Sequence, residues 1–543
     1  MAYPWRGVWS ANTIYPSGSL VSFKGAIFLA TSTTTAGQSP PGAPWSVVVS
    51  QEGQGPATAP AAPAYTVAQM RAQPAGWFLA HRGSGAEFPE HTMVGYDASM
   101  ELLRTNGYVP AMEVSVVAAA DKTLFCMHDP DFDKSTTSTG AATTRPWSEI
   151  SALVRTDETT YLGPGWPGQQ LVTLREVLDR FIHNTVIFVE AKSNAAVQPL
   201  QRMLLEDYPQ ARQNVVVKMA YNNSLLSWAR TNGFTTWGYL AGDGLTNDSE
   251  LNTYDSVVDM WGVPTITTDA RIAQIVARGK DVIAWEIHRR EQARHLSQDL
   301  GVKGLMCSRI AYVTRSTNTE FTYKMLAADN FATKVMMPGM LEGDPTIPAS
   351  EAARAIRLKF DASDGSVYFP DLTVAHTVCL GGLNEVPAPS SYNILWSMKW
   401  PVIPPVSTQV SGVAICRPDD TQYVFTATTN TVGGYHAFVR ANGEMVLNRH
   451  DPGTATSTTV MNGTPPTTGG FQPPVADTYM SFRIEVRPTS LTFVRTDISP
   501  EYSITSSAAV AQTYRGPYMH LVSGNVTQNS STPHWRAVSM PTV

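Results

Sequence analysis

The sequence predicts a multidomain α/β plus β protein: a (β/α)8 TIM barrel set between a small N-terminal β module and a C-terminal β-sandwich. Residues 65–318 alternate short apolar runs with amphipathic stretches, the rhythm of repeated strand–helix units. Residues 319–543 lose that rhythm and read as short alternating runs between Gly, Pro, Asn, Ser and Thr, the pattern of an antiparallel β fold. A chain of 543 residues is too long for one core. Apolar residues make up 43% and charged residues only 15%, which excludes disorder. A net charge of −6 with no Lys/Arg block gives no footprint for nucleic acid.

Residues 1–50 are expected to form the small β module. Trp9, Tyr15, Gly18, Val21, Gly25, Phe28 and Ala30 follow the pattern W-x5-Y-x2-G-x2-V-x3-G-x2-F-x-A, closed by Trp45. The glycines mark turns, and the β-branched and aromatic residues mark strands. The pattern resembles small carbohydrate-binding modules found on chitinases and repeated in phage tail proteins. That resemblance implies exposed aromatics, Trp9 and Tyr15, stacking on sugar rings; a domain this small also needs its aromatics as core. Residues 51–64, with QEGQGPATAPAAP, read as a semi-extended linker.

Barrel strands are expected at Trp77–His81, Ala111–Val117, Val186–Lys192, Val215–Tyr221, Thr235–Leu240, Ser256–Gly262, Val282–Ile287 and Gly304–Cys307. Thr123–His128 is one strand more than a plain barrel needs. Helices are expected at Thr92–Thr105, Leu174–Phe181, Ala196–Asp207, Ser224–Asn232, Asp269–Arg278 and Glu291–Leu300. Asn232-Gly233 and Arg278-Gly279 end two of them as C-caps do. Beyond residue 319, helical period is confined to Ser350–Arg357 and a further strand is expected at Tyr423–Thr428. YHAFVRANGEMVLN and FRIEVRPTSLTFVR read as hairpins, the first turning at Asn442-Gly443. This strand rhythm resembles a lectin-type, concanavalin-like jelly roll. None of the four cysteines forms a Cys-x-x-Cys pair, so zinc is not indicated. Cys126 and Cys307 read as buried thiols, Cys379 and Cys416 as a candidate disulfide. The N-terminus lacks the basic-then-apolar order of a secretory signal, and no apolar run reaches about 18 residues. The expectation is synthesis in a cytoplasm, without a transmembrane segment.

Chemistry gathers between Gly76 and Asp133. His81 and His128 each end a short apolar run, and Glu113 lies in a third. Barrel active sites lie at the C-terminal ends of the strands. Two imidazoles and an acid there point to acid–base chemistry beside a metal. His81-Arg82-Gly83 followed by Pro89-Glu90-His91-Thr92 is similar to the H-R-G…P-E-N-T opening of the glycerophosphodiester phosphodiesterases. Met112-Glu113-Val114-Ser115 stands at that family's E-x-D, His128-Asp129 at its H-D and Val189-Glu190-Ala191-Lys192 at its E-x-K. Trp285 stands at the aromatic of its seventh strand, and Gly301-Val302-Lys303-Gly304 at its G-V-D-G. The matches fall in order across most of residues 76–315.

Residues two apart on a strand share a face, which pairs Glu113 with Ser115 and Glu190 with Lys192. On the inward face of the upper rim, Glu113 and Glu190 converge on one hard divalent cation, Ca2+ or Mg2+, with Ser115 a weak third ligand. Arg82 and Lys192 supply positive charge for a phosphate. The resemblance implies that Trp285 and Glu90 line the substrate pocket. It also implies that one histidine deprotonates a hydroxyl beside the phosphoester while the other protonates the leaving alcohol. His81 is assigned as base and His128 as acid, an order that could be reversed. Two departures stand out: Ser115 replaces the family's metal-binding Asp, and His91 its Asn. Glu286 and His288 are expected on the opposite face from Trp285, outside the chemistry.

Sugar-binding-like modules flanking such a barrel resemble the layout of phage tail or tail-fibre proteins. The expectation is a phage minor tail protein, made in the host cytoplasm and carried in the virion. It would act at the host cell surface through metal-dependent glycerophosphodiester phosphodiesterase activity, on a bacterial surface glycopolymer or a glycerophosphodiester. Its partners would be other tail proteins and further copies of itself, a homotrimer by analogy. Two alternatives stand: a catalytically impaired receptor-binding or structural tail protein keeping the barrel as scaffold, and a bacterial glycerophosphodiesterase with carbohydrate-binding accessory domains.

Overall fold

A computed structural model describes residues 5–23, 26–40, 43–49, 63–133, 135–156, 168–314, 359–361, 363–368, 376–382, 390–404, 410–421, 432–454, 456–463, 473–523 and 532–539. The first module is a four-stranded sheet, β1 (Trp5–Val8), β2 (Leu20–Phe23), β3 (Ala26–Ala30) and β4 (Trp45–Val49), in sequence order. Tyr15, Val21, Phe28, Ala30 and Trp45 are its core, with Trp9 packed against them. Tyr15 is 3% exposed, lies edge-on to Trp45, and its hydroxyl accepts from the Ser10 N–H at 2.7 Å. It offers no face to a sugar ring, so the stacking role expected of Tyr15 does not hold; so small a domain needs the ring inside. Trp9 is half-buried, its indole donating to the Gln38 carbonyl at 3.0 Å.

Eight parallel strands form the barrel: β5 (Trp77–Ala80), β6 (Ala111–Ala118), β8 (Val186–Ala191), β9 (Val215–Ala220), β10 (Thr235–Tyr239), β11 (Met260–Pro264), β12 (Asp281–Ile287) and β13 (Gly304–Cys307). The ring closes where β13 pairs with β5, Gly304 opposite Trp77, and β5 with β6, Ala80 opposite Met112. The supernumerary strand, β7 (Leu124–Cys126), runs antiparallel along the end of β6, with Val116 opposite Cys126. It returns the chain to the rim and leaves the barrel at eight. β11 starts four residues later than expected because Val257 and Val258 are held in a turn on the Tyr254 carbonyl.

The interior is packed by inward side chains at every second position, among them Leu79, Phe188, Val216, Ile283 and Met306. Two tryptophans fill it because glycines face them. A Cβ on Gly304 would lie 2.3 Å from the Trp77 ring, and one on Gly262 would lie 2.5 Å from the Trp237 indole nitrogen. The outer helices start where hydroxyl residues cap them. Thr92 accepts from the Gly95 N–H ahead of Met93–Thr105, and Thr173 and Glu176 form a capping box ahead of Leu174–Phe181. Among the described residues no helix is long and apolar enough to cross a membrane.

The C-terminal region forms two antiparallel sheets of seven and six strands. Both expected hairpins are present. Gly434–Arg440 pairs with Met445–His450 around Gly443 at φ +87°, and Met480–Arg487 pairs with Ser490–Arg495. Trp396, Phe482 and Ile484 of one sheet and Ile415, Tyr435 and Leu447 of the other share one apolar cluster. The expected helix at Ser350–Arg357 and strand at Tyr423–Thr428 lie outside the described residues. Cys416 is a free buried thiol beside the Tyr392 hydroxyl, so the candidate disulfide with Cys379 is not formed.

One buried carboxylate ties this region to the barrel. Asp420, fully buried, accepts from the backbone N–H of Arg290 at 2.7 Å and of Glu291 at 2.9 Å, and from the Tyr312 hydroxyl at 2.8 Å. It caps the barrel helix Arg290–Arg294, whose own N-cap residue, Arg289, gives no side-chain bond. Replacing Asp420 with Ala is expected to destabilise the full chain by about 2–3 kcal/mol, from lost charge-assisted bonds and orphaned N–H groups. Urea unfolding followed by tryptophan fluorescence measures this; an unchanged midpoint would refute the capping role.

Candidate active site

The polar rim grows out of the barrel's own alternation. Each inward apolar residue is followed two positions later by a polar one: Leu79 by His81, Phe188 by Glu190, Val216 by Lys218, Trp237 by Tyr239 and Met306 by Ser308. Glu113 and Ser115 continue the inward face of β6 from Ala111. The strand register sets heights around the ring, with Ser115 opposite Glu190 and Lys218 opposite Trp237.

The centre of the rim is an ion-paired cluster. The Lys218 ammonium lies 2.7 Å from Glu113 Oε1 and 2.6 Å from Glu190 Oε2. Lys192 Nζ lies 3.0 Å from Glu190 Oε1, which also accepts from the Tyr239 hydroxyl at 3.0 Å. Glu113 Oε2 accepts from the Arg82 backbone N–H at 2.9 Å, and Ser115 Oγ donates to Glu113 Oε1 at 3.0 Å. Burial alone would raise both carboxyl pKa values. The surrounding basic groups together outweigh it: Lys218 with His81, His91 and Arg82 holds Glu113 well below the usual carboxylate range, and Lys218 with Lys192 holds Glu190 at about 2. Burial would discharge Lys218, but Glu113 and Glu190 raise its pKa instead. The rings of Trp237 and Tyr239 flank the ammonium at 5.4 and 5.5 Å.

The expected metal ligands are therefore brought together, but around Lys218. Their fit to a divalent ion is poor. All four carboxylate oxygens already have donors or an ammonium, Ser115 supplies no charge, and two ammonium groups balance the two acids. Lys218 went unread in the sequence, although its place in VVVKMA, two residues after the inward Val216, was the available signal.

The two histidines flank this cluster. His81 Nδ1 lies 2.7 Å from Ser308 Oγ and pairs with Glu286 Oε1; its Nε2 accepts from Arg82 Nε at 3.1 Å. Burial lowers the His81 pKa, with Glu286 opposing. Glu286 itself is held well below the usual carboxylate range: burial would raise it, but His81 and His288 lower it, the latter at 3.4 Å. Strict alternation had placed Glu286 away from Trp285's face. The β12–β13 register slips between Trp285 and Ile287, and this bulge turns Glu286 towards His81. Trp285 is half-buried against the barrel interior, 6.2 Å from Tyr239 ring to ring.

His128 stands across the rim, Nδ1 3.1 Å from Asp129 Oδ1. Its pKa is lowered by burial and then by the charges of Arg82 and Lys192, the two cations expected to hold phosphate. Arg82 Nη1 donates to Glu90 Oε2 at 3.0 Å, so Glu90 orients that guanidinium. His91 is buried against the Tyr96 hydroxyl at 2.8 Å, and burial lowers its pKa to about 3. It is a neutral structural group, not a titrating one.

The barrel stretch is similar to known proteins. A family model described as glycerophosphoryl diester phosphodiesterase matches residues 81–311. YhdW of Bacillus subtilis, named provisionally as a glycerophosphodiester phosphodiesterase, is 21% identical over 239 residues, covering 42% of this chain and 93% of its own. A glycerophosphodiester phosphodiesterase of the same organism is 26% identical over 135 residues, 23% of this chain and 43% of that one. The structure of an Oleispira antarctica phosphodiesterase bound to the product sn-glycerol-3-phosphate covers 44% of this chain and 94% of that one, at 17% identity and a TM-score of 0.38. With its closed eight-stranded barrel, the stretch from residue 81 to 311 is a glycerophosphoryl diester phosphodiesterase family domain within a longer chain.

Proposed function

We propose that this domain cleaves phosphodiesters at the barrel rim by paired histidine catalysis. The observation that carries the reading is His81, held through Nδ1 by Glu286 and Ser308 with Nε2 turned to Arg82. A carboxylate behind one ring nitrogen fixes the tautomer whose other nitrogen takes up a proton. In the first step a substrate hydroxyl beside the phosphoester attacks phosphorus and gives its proton to His81 Nε2. The bond from phosphorus to the leaving oxygen breaks, and that oxygen takes a proton from His128. A cyclic phosphodiester and a free alcohol result. Water then opens the ring with the roles reversed. Arg82 and Lys192 face the phosphate oxygens; burial does most to hold His128 neutral in the free protein, and the bound anion offsets the part that these two cations add.

The wider setting follows the domain layout. We place the protein on a phage tail, made in a host cytoplasm and acting on glycerophosphodiester units of a bacterial surface polymer; the flanking β-rich regions support this reading. A second reading, a receptor-binding scaffold without turnover, is favoured by one residue, Ser115, where the family motif carries an acid.

The full chain is expected to hydrolyse glycerophosphocholine, whose glycerol carries the hydroxyl beside the phosphoester. His81→Ala and His128→Ala should each lose about 10²–10⁴-fold in kcat. Turnover that survives both changes would eliminate the assignment, and cell-wall binding without any turnover would leave the scaffold reading standing. In Glu286→Gln, the group that raises the His81 pKa is gone. The acid limb of kcat/KM, already below about 6.5 because burial lowers His81, should move to still lower pH while kcat falls at least ~10²-fold. A limb that stays in place would show that Glu286 does not act through His81.

A further inference from the structure

We infer that Lys218 takes the place of the divalent cation: its ammonium is the resident positive charge of the rim, and no metal enters between Glu113 and Glu190. The inference deepens the phosphodiesterase reading and rests on it for the chemistry, though not for the exclusion of the ion.

Three observations converge on it. Lys218 Nζ bridges one oxygen of each carboxylate at 2.7 and 2.6 Å, on the line between the two groups that a shared ion would occupy. The lysine is built in: its side chain is 7% exposed, aromatic rings flank it, and its pKa is raised. The residue opposite Glu190, Ser115, carries no charge. Ser115 stands where a third carboxylate would be required, and its hydroxyl is already donated to Glu113. An ion forced into this space would meet a buried ammonium within a few ångströms and find no carboxylate oxygen without a partner. An Asp at 115 would instead leave a negative charge to balance, so Ser115 and Lys218 are complementary changes.

The division of labour at the rim follows. Lys218 is a positioning residue with both carboxylates as its partners, so it does not hold the substrate. It keeps Glu113 and Glu190 ionised and fixed. Glu190 in turn fixes Lys192, and Glu113 holds the Arg82 backbone N–H. These two cations are what the phosphate meets. Activation of the attacking hydroxyl falls to His81 alone, without a Lewis acid to lower the hydroxyl's own pKa.

The test uses the full-length protein stripped with EDTA. Mn2+ binding is read by electron paramagnetic resonance, and release of choline from glycerophosphocholine is followed with chelator present. Wild type should bind no Mn2+ at this site and keep its activity in EDTA. Ser115→Asp alone should still bind none, and Ser115→Asp with Lys218→Met should gain a Mn2+ signal that Glu190→Gln removes. Since Lys218→Met exposes two buried acids to each other and folding could fail, the wild-type and Ser115→Asp measurements decide on their own. Mn2+ bound by either of these and lost on Glu190→Gln overturns the inference, and so does activity that EDTA abolishes and Mg2+, Ca2+ or Mn2+ restores; both leave the phosphodiesterase reading intact. Mn2+ retained in Glu190→Gln lies elsewhere and supports the exclusion. No turnover under any condition, with no Mn2+ bound at the rim, rejects the phosphodiesterase reading and upholds the substitution of lysine for metal.

Discussion

An ammonium held between two buried carboxylates is the interaction on which the rim depends. Burying any one of the three charges alone would be prohibitive; the ammonium stabilises both carboxylates, and both stabilise it. Glu113, Glu190 and Lys218 come from three strands, β6, β8 and β9, so their mutual attraction acts across staves that also pair through backbone bonds. Pairing of this kind contributes little net stability, since desolvation offsets most of the Coulomb gain. What it does provide is position. Three further rim groups are one bond from it: Arg82 through Glu113, Lys192 and Tyr239 through Glu190.

That dependence explains how the site tolerates Ser115. Removing a negative charge from a metal site weakens the site. Removing it from a cluster already balanced by two ammonium groups leaves charge neutrality intact and adds one hydrogen bond, from Ser115 Oγ to Glu113. Serine at 115 and lysine at 218 are therefore better understood together than as one lost ligand and one stray cation.

Much of this was legible in the sequence, and the misses have distinct physical causes. The apolar runs and their period placed all eight barrel strands within a few residues, and the motif order found His81, His128, Glu113 and Glu190. Lys218 was legible by the same two-residue rule that paired Glu190 with Lys192, since Val216 already faces inward. It matched no motif, and a lone lysine in an apolar strand carries no sign of its partners. Glu286 was not legible. Its direction is set by a one-residue slip in the β12–β13 register, and alternation applied without that bulge points it the wrong way. Tyr15 shows the opposite limit: its pattern is right for a small β module, but the pattern does not say which aromatics remain outside.

Asp420 was beyond reach for a different reason, being contributed from more than a hundred residues away, and it joins the outer fold to the chemistry. It holds the start of the helix Arg290–Arg294 and the hydroxyl of Tyr312. Four residues before each of these anchor points lie the two groups that contact His81: Glu286 ahead of Arg290, and Ser308 ahead of Tyr312. Both segments leave the barrel strands at the rim, and the second is also held from within the barrel, where Glu87 accepts from the Ala311 and Tyr312 N–H groups at 2.8 and 2.9 Å. The Arg290 side chain closes the same loop by donating to the Tyr312 carbonyl at 2.9 Å. A carboxylate just past the strand Val410–Arg417 of the C-terminal sheets thus holds the far ends of two short segments whose near ends orient the proposed base. The sheet region is part of what sets the His81 geometry: a barrel cut away from it would lose the cap on the segment that follows Glu286, while Glu87 would still hold the one that follows Ser308.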